Sequence, residues 1–167
     1  MAEQESPMRF FIDLNNFAYF TAADDIPQRI VTYCQETRQG KIERFSQVIR
    51  CIFDSIAWTA SMCFRQLTEV SGIPVDHVYA IGGGARNELL CQTMANILQK
   101  SVSAGPFEAS TMGVVAAQLA AMGELHGPEQ IRSVIASSVN PIRFDPQCVY
   151  DLKWAQSFEE NKLQHME

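Results

Sequence analysis

Basic residues are scarce in this chain. Its 167 residues carry 13 Lys and Arg against 19 Asp and Glu, a formal net charge of -6. Binding a phosphate backbone needs concentrated Lys and Arg, so the balance argues against nucleic acid as a main partner. Long apolar runs are missing too: no stretch reaches the roughly 18 apolar residues that a membrane-crossing helix needs. The polar, acidic residues 1–8 show no signal-peptide pattern. Together these absences predict a cytoplasmic protein without membrane contact.

Paired cysteines are lacking as well. Cys34, Cys51, Cys63, Cys91 and Cys148 are spread without a C-x-x-C pair, and an odd count without metal-like spacing reads as reduced, mostly buried thiols. His77, His126 and His165 stand apart from one another and from the cysteines, so no metal site is expected. What is present suits one domain. An apolar fraction of 47% with 19% charge is enough to build a core, and the length leaves little room for two.

Residues 1–23 are apolar without a clean period. Phe10, Phe11, Ile12, Phe17, Tyr19 and Phe20 crowd there, a pattern that packs against something. Asp24-Asp25-Ile26-Pro27 reads as a helix start, and a helix over residues 26–37 carries Ile30, Val31, Tyr33 and Cys34 inward. The strongest periodicity lies over residues 45–70. Phe45, Val48, Ile49, Ile52, Phe53, Ile56, Ala57, Ala60, Phe64 and Leu67 form its stripe; Arg44, Gln47, Arg50, Asp54, Gln66 and Glu69 fall largely outside it. Ser71-Gly72-Ile73-Pro74 stops this helix.

A short strand over 77–81 then runs into Gly82-Gly83-Gly84, followed by a helix over 85–98 and a second strand over 101–104. A small-residue helix over 111–122, with Gly113, Ala116, Ala117, Ala120 and Ala121, ends at Gly123 as a C-cap. A further helix opens at Gly127-Pro128, residues 140–146 are extended, and a terminal helix spans 147–162. The order points to an α/β layer. Two short strands are marginal alone, and the helices outnumber what they would cover. That imbalance suggests a missing partner.

The one feature that demands chemistry is Gly82-Gly83-Gly84-Ala85-Arg86-Asn87. Glycines between strand and helix remove the side chains that would block a ligand, and a helix start offers unpaired N–H groups. A tight turn with no ligand is the alternative. No Lys-Ser or Lys-Thr follows at P-loop spacing. A dinucleotide fingerprint would use Gly82 and Gly84 but finds Asn87 in its last glycine position, although Glu108 lies about twenty residues on.

Gly82-Gly83-Gly84-Ala85-Arg86-Asn87-Glu88-Leu89-Leu90 resembles the nucleotide-binding segment of the FGGY carbohydrate kinases. Ala104-Gly105-Pro106-Phe107-Glu108-Ala109-Ser110-Thr111-Met112-Gly113 follows at family-like spacing. The combination is similar to the rhamnulokinases in particular. Asp24-Asp25-Ile26-Pro27, Tyr33-Cys34 and Ile142-Arg143-Phe144-Asp145-Pro146 extend the likeness over residues 10–146. The resemblance implies an α/β, partial actin-like (ribonuclease-H-like) ATPase domain, helix-rich with a small sheet. It implies transfer of the ATP γ-phosphoryl group to a sugar hydroxyl, here O1 of L-rhamnulose, with Mg²⁺ as cofactor; fuculose or xylulose remain open. ATP and ADP would be bound by Gly82, Gly83, Gly84 and Asn87, the last as an amide near the adenine edge or, alternatively, as a helix cap. Arg86 is expected to be solvated, and Glu108 to sit near a helix N-terminus, where negative charge is favoured.

The family's N-terminal domain, its catalytic aspartate segment and the early strands of its C-terminal domain find no counterpart in residues 1–167. The chain is therefore expected to be a C-terminal portion of the FGGY C-terminal domain, with no catalytic residue and no metal ligand, inactive alone. The sugar would be held mainly by the missing region. Exposed apolar faces would drive self-association through residues 10–20 or the 45–70 stripe. A non-catalytic interaction protein with a degenerate nucleotide fold, and a dinucleotide-binding module, are the rival readings.

Overall fold

The computed structural model describes residues 1–15 and 25–164, with residues 159–164 as helix backbone. Phe17, Tyr19, Phe20, Asp24 and His165 lie outside the described residues. Six helices and three strands follow one another: α1 (Ile26–Glu36), α2 (Phe45–Ser71), β1 (His77–Ala80), α3 (Glu88–Leu98), β2 (Ser101–Ala104), α4 (Ala109–Ala121), α5 (Gly127–Ser138), β3 (Ile142–Phe144) and α6 (Lys153–Gln164). One 3₁₀ turn, Ala2–Gln4, precedes α1, and a second, Gly83–Arg86, lies between β1 and α3.

Helix ends follow local chemistry. The Asp25 carboxylate accepts from Gln28 N at 3.3 Å and Pro27 sits in the first turn of α1. At the start of α2 the Gln47 side chain reaches back to accept from Glu43 N and Arg44 N at 2.8 and 3.2 Å. Gly72 ends α2 in the left-handed region, its N–H bonded to Thr68 O at 2.9 Å.

Residues 8–12 run over α2, and this corrects the predicted buried face of that helix. Gln47, Arg50 and Asp54 were expected outside the apolar stripe, yet all three are buried, while Phe45 and Leu67 are 65% and 60% exposed. The cause is backbone polarity. An extended segment laid against a helix must find partners for its N–H groups. Asp54 Oδ2 accepts from Met8 N at 2.6 Å, and Ser55 Oγ accepts from Ile12 N at 2.9 Å. Arg50 Nε in turn donates to Asp54 Oδ1 at 2.9 Å. Around this polar seam Phe11 packs edge-on to Trp58 at 6.3 Å and stacks with Phe158 of α6 at 5.9 Å, ring pairs worth about 0.5–1.5 kcal/mol each beyond their buried area. Ile30, Tyr33 and Cys34 of α1 close the same core, with Val31 packed at its margin.

A second core lies between the sheet and α3. The strand order is β1-β2-β3; β1 and β2 are parallel, with Val78 opposite Val102, and β2 and β3 antiparallel, with Val102 opposite Phe144. Val78, Val102 and Ala104 alternate onto the face that buries Cys91 and Ala95 of α3. The other face is polar: His77 Nε2 meets Ser103 Oγ at 2.8 Å. The third strand falls in the segment expected to be merely extended. It pairs because Arg143, Asp145 and Ser101 form a hydrogen-bonded clasp at its end. Cys34, Cys51 and Cys91 are buried thiols, while Cys63 and Cys148 are exposed. Among the described residues no helix is long and apolar enough to cross a membrane.

Burial pushes the Asp54 carboxyl above the usual carboxylate range, against the opposing pull of Arg50 and of Met8 N. Asp54→Ala leaves Arg50 and Met8 N without their acceptor and is expected to cost about 3–5 kcal/mol in urea unfolding. A group whose folded pKa is raised contributes stability at low pH that fades as pH rises through that pKa. The stability advantage of the parent over Asp54→Asn is therefore expected to grow as pH falls from neutral through the carboxylate range. An advantage that shrinks on acidification contradicts the assignment.

Candidate functional site

The site is assembled where β1 and β2 end side by side. Past Ala80 the chain turns at Gly82, whose φ of +84° is open to glycine but strained for other residues. Two backbone hydrogen bonds then cross between the strand ends: Gly105 N donates to Ala80 O at 2.8 Å, and Gly82 N donates to Pro106 O at 3.0 Å. The glycine turn and the 105–108 loop are thereby held as one unit.

Residues 83–86 form a 3₁₀ turn rather than the first turn of the predicted 85–98 helix. Ala85 N bonds Gly82 O and Asn87 N bonds Gly84 O, both at 3.1 Å. Ala85 is the inward residue, 5% exposed, and its carbonyl accepts from Cys91 Sγ. The α-helix begins only at Glu88 because Asn87 caps it: Oδ1 accepts from Leu90 N at 2.9 Å. The capping alternative for Asn87 is thus observed directly. It occupies the amide oxygen, and the Nδ2 hydrogens have no partner among the described residues.

Gly83 and Gly84 differ from Gly82. Neither has a positive φ, and a Cβ on either would meet nothing within 4 Å. The turn could be built with alanine at both positions. What glycine supplies there is a bare backbone surface facing open space, beside the unused half of the Asn87 amide. The sequence brought these four residues forward as one group, and the structure places them together.

Arg86 is not simply solvated. Its guanidinium donates to Glu108 Oε1 at 2.8 Å and lies over the Phe107 ring at 5.1 Å. Glu108 occupies the N-cap position of α4, as expected, without bonding the helix N–H groups through its side chain. Both partners are more than half exposed, so the pair adds little stability by itself; it is a third tie between turn and loop. Nothing in the sequence announces this pair, since 22 residues separate its members. Among the described residues no three His, Cys, Asp or Glu side chains converge to hold a metal ion.

The profile of the FGGY family of carbohydrate kinases, C-terminal domain, matches residues 1–122. The chain is similar to the rhamnulokinase of Bacteroides thetaiotaomicron, with 34% identity over 146 residues, 87% of this chain and 30% of that protein. It is 31% identical to the Bacillus subtilis rhamnulokinase over 163 residues, 97% of this chain and 33% of the relative. A rhamnulokinase of an Enterobacter species is 30% identical over 156 residues, 93% and 32% of the two chains. The chain thus spans about a third of the length of these relatives. Its α/β fold, helix-rich with a small three-stranded mixed sheet, is part of the actin-like, ribonuclease-H-like ATPase domain of a family of ATP-dependent kinases. The chain belongs to the FGGY family of carbohydrate kinases, within their C-terminal domain.

Proposed function

We propose that this chain supplies one wall of the ATP site of a sugar kinase, as a C-terminal portion of the FGGY C-terminal domain spanning residues 1–167. Gly82, Gly83, Gly84 and Asn87 are its nucleotide-binding residues. The observation that carries the reading is the pair Gly83 and Gly84, two glycines that the turn does not need. Glycine at two positions where the backbone would accept other residues, on an open surface, leaves the main chain bare to whatever approaches it. The Asn87 Nδ2 group, left over from its capping bond, is a donor suited to the edge of a purine base.

The wall favours the nucleoside over the phosphates. Arg86 is the cation beside the turn, and Glu108 neutralises it. A phosphate-gripping loop would present uncompensated positive charge. The parent reaction is ATP + L-rhamnulose to ADP + L-rhamnulose 1-phosphate, supported by the three rhamnulokinase relatives; a fuculose or xylulose kinase is the alternative. Mg²⁺ supplies charge neutralisation of the transferring phosphate in such reactions. Glu108 is tied to Arg86, so it is offered neither as a metal ligand nor as the base that takes the sugar hydroxyl proton. The chain alone is accordingly inactive, with its sugar and metal contacts in the remainder of a full-length kinase. The chain also self-associates. Phe10, Phe11 and Ile12 are buried within the fold, which leaves other surfaces to mediate this.

Gly83→Ala separates site from scaffold. Thermal stability is expected to stay level or to rise by up to about 1 kcal/mol, while ADP affinity, read by calorimetric titration, falls about tenfold. Asn87→Ser keeps a capping oxygen but loses the amide donor; unfolding is expected to change by a few tenths of a kcal/mol and ADP affinity to fall about fivefold. Full ADP affinity in both variants would mean that the turn is only structural. A coupled assay of the purified chain with ATP, Mg²⁺ and L-rhamnulose is expected to show no sugar-dependent ADP release; release above a no-sugar control refutes the inactivity.

A further inference from the structure

The polar seam borders a cavity. Between residues 4–10 and the first three turns of α2 lies a space of about 80 Å³, lined by Glu5, Arg9, Arg44, Gln47, Arg50 and Asp54. It has room for several waters or one small ion. Its side-chain acceptors are already engaged. Glu5 Oε1 accepts from Ser46 Oγ, and Glu5 Oε2 accepts from Arg44 Nη2 at 2.8 Å. Asp54 takes Arg50 Nε on one oxygen and Met8 N on the other. Gln47 Oε1 is turned to the N–H groups of Glu43 and Arg44. The donors are not engaged in the same way. Arg50 is 5% exposed, gives one of its five N–H groups to Asp54, and keeps Nη2 buried without a partner among the described residues. The nearby Tyr150 hydroxyl already accepts from Asn96 Nδ2 at 3.0 Å, so it can take at most one more. Arg9 adds an exposed guanidinium that lies over the Phe10 ring at 5.1 Å and has no ion pair among the described residues.

We propose that this cavity is a binding site for a small oxyanion, with Arg50, Arg9 and Arg44 as its donors. A buried donor without an acceptor is costly, and the fold offers Arg50 Nη2 none. Three guanidinium groups face two carboxylates, which leaves one positive charge in surplus. An ion with oxygens supplies both what the donors lack and the balancing charge. The planar guanidinium fork matches two oxygens of a phosphate or a carboxylate. Arg44 is 67% exposed, so the ion has a way in from solvent. The site is separate from the nucleotide wall, shares no residue with the Gly82–Asn87 turn, and goes beyond that reading. Because it touches Asp54 and Arg50, an ion held there stabilises the seam on which the first core packs.

Calorimetric titration of the whole chain with inorganic phosphate, at constant ionic strength, is expected to show saturable binding at one site. The thermal midpoint is expected to climb with phosphate concentration. Chloride at the same ionic strength is expected to do neither, which separates a site from screening. Acetate, titrated in parallel, distinguishes a planar carboxylate from a tetrahedral occupant; saturable binding of either supports the site. Arg9→Gln removes a cation with no ion pair to lose. It is expected to weaken oxyanion binding about tenfold, with far-ultraviolet circular dichroism unchanged. Arg9→Lys, which keeps the charge without the fork, is expected to fall between the two. Saturable binding of neither oxyanion, or equal binding of chloride, overturns the proposal. So does an oxyanion affinity unchanged in Arg9→Gln. Asn87→Ser is expected to keep the parent's phosphate affinity; loss there would put the phosphate at the nucleotide wall and overturn this site. ADP binding without oxyanion binding fails this inference alone; oxyanion binding without ADP binding fails the nucleotide reading alone.

Discussion

Everything else in the fold is arranged around a carboxylate held inside α2. Asp54 is 1% exposed and receives a guanidinium N–H from one turn below and a main-chain N–H from Met8. A buried charge persists only when its lone pairs are occupied. That requirement fixes the rotation of α2, and with it the line along which residues 8–12 must lie. Once Met8 and Ile12 are bonded, Phe11 points at Trp58 and α1 closes over the top. The polar seam therefore sets the register on which the apolar core then packs. A purely apolar face on α2 could have packed in several rotations; this one cannot.

α2 also lies along α3, whose Ile97 joins the same core, and α3 carries the sheet. The position of the candidate site thus depends on the seam through α3. α3 starts where Asn87 ends the 3₁₀ turn, and the turn is fastened to the 105–108 loop by three ties of different kinds: two backbone bonds and one exposed ion pair. Binding surfaces work when rigid elements hold them. Here the rigidity comes from parallel strands whose ends are stitched together, so the bare glycines sit on a platform and not on a free loop.

Much of this was legible from residues alone. The strand, glycine turn and helix were read in order, and α2 was bounded to within a residue, because a long period with a Gly-Ile-Pro stop leaves little freedom. The buried face of α2 was misread for a physical reason. Hydrophobic periodicity assumes that polar residues face water, whereas Gln47 turns back to cap the start of α2, Arg50 serves Asp54, and Asp54 takes the Met8 N–H. β3 was missed because three residues cannot display an alternation, and its pairing rests on a clasp with Ser101, more than forty positions earlier. The terminal helix starts at Lys153, six residues later than the sequence suggested; before it Gln147 N is bonded to Asn96 Oδ1, a non-local partner. Within the site, Asn87 and the glycines carry local signals, whereas Arg86 and Glu108 meet only through the fold.

Gly83 and Gly84 have one more consequence. A glycine in a conformation that alanine could share loosens the unfolded chain without tightening the folded one, at a cost of about 0.4–1 kcal/mol per position. For a small domain with a net stability of about 5–15 kcal/mol, two such positions are a standing handicap. The same two residues thus make the turn most flexible in the unfolded chain and leave its main chain barest in the folded one.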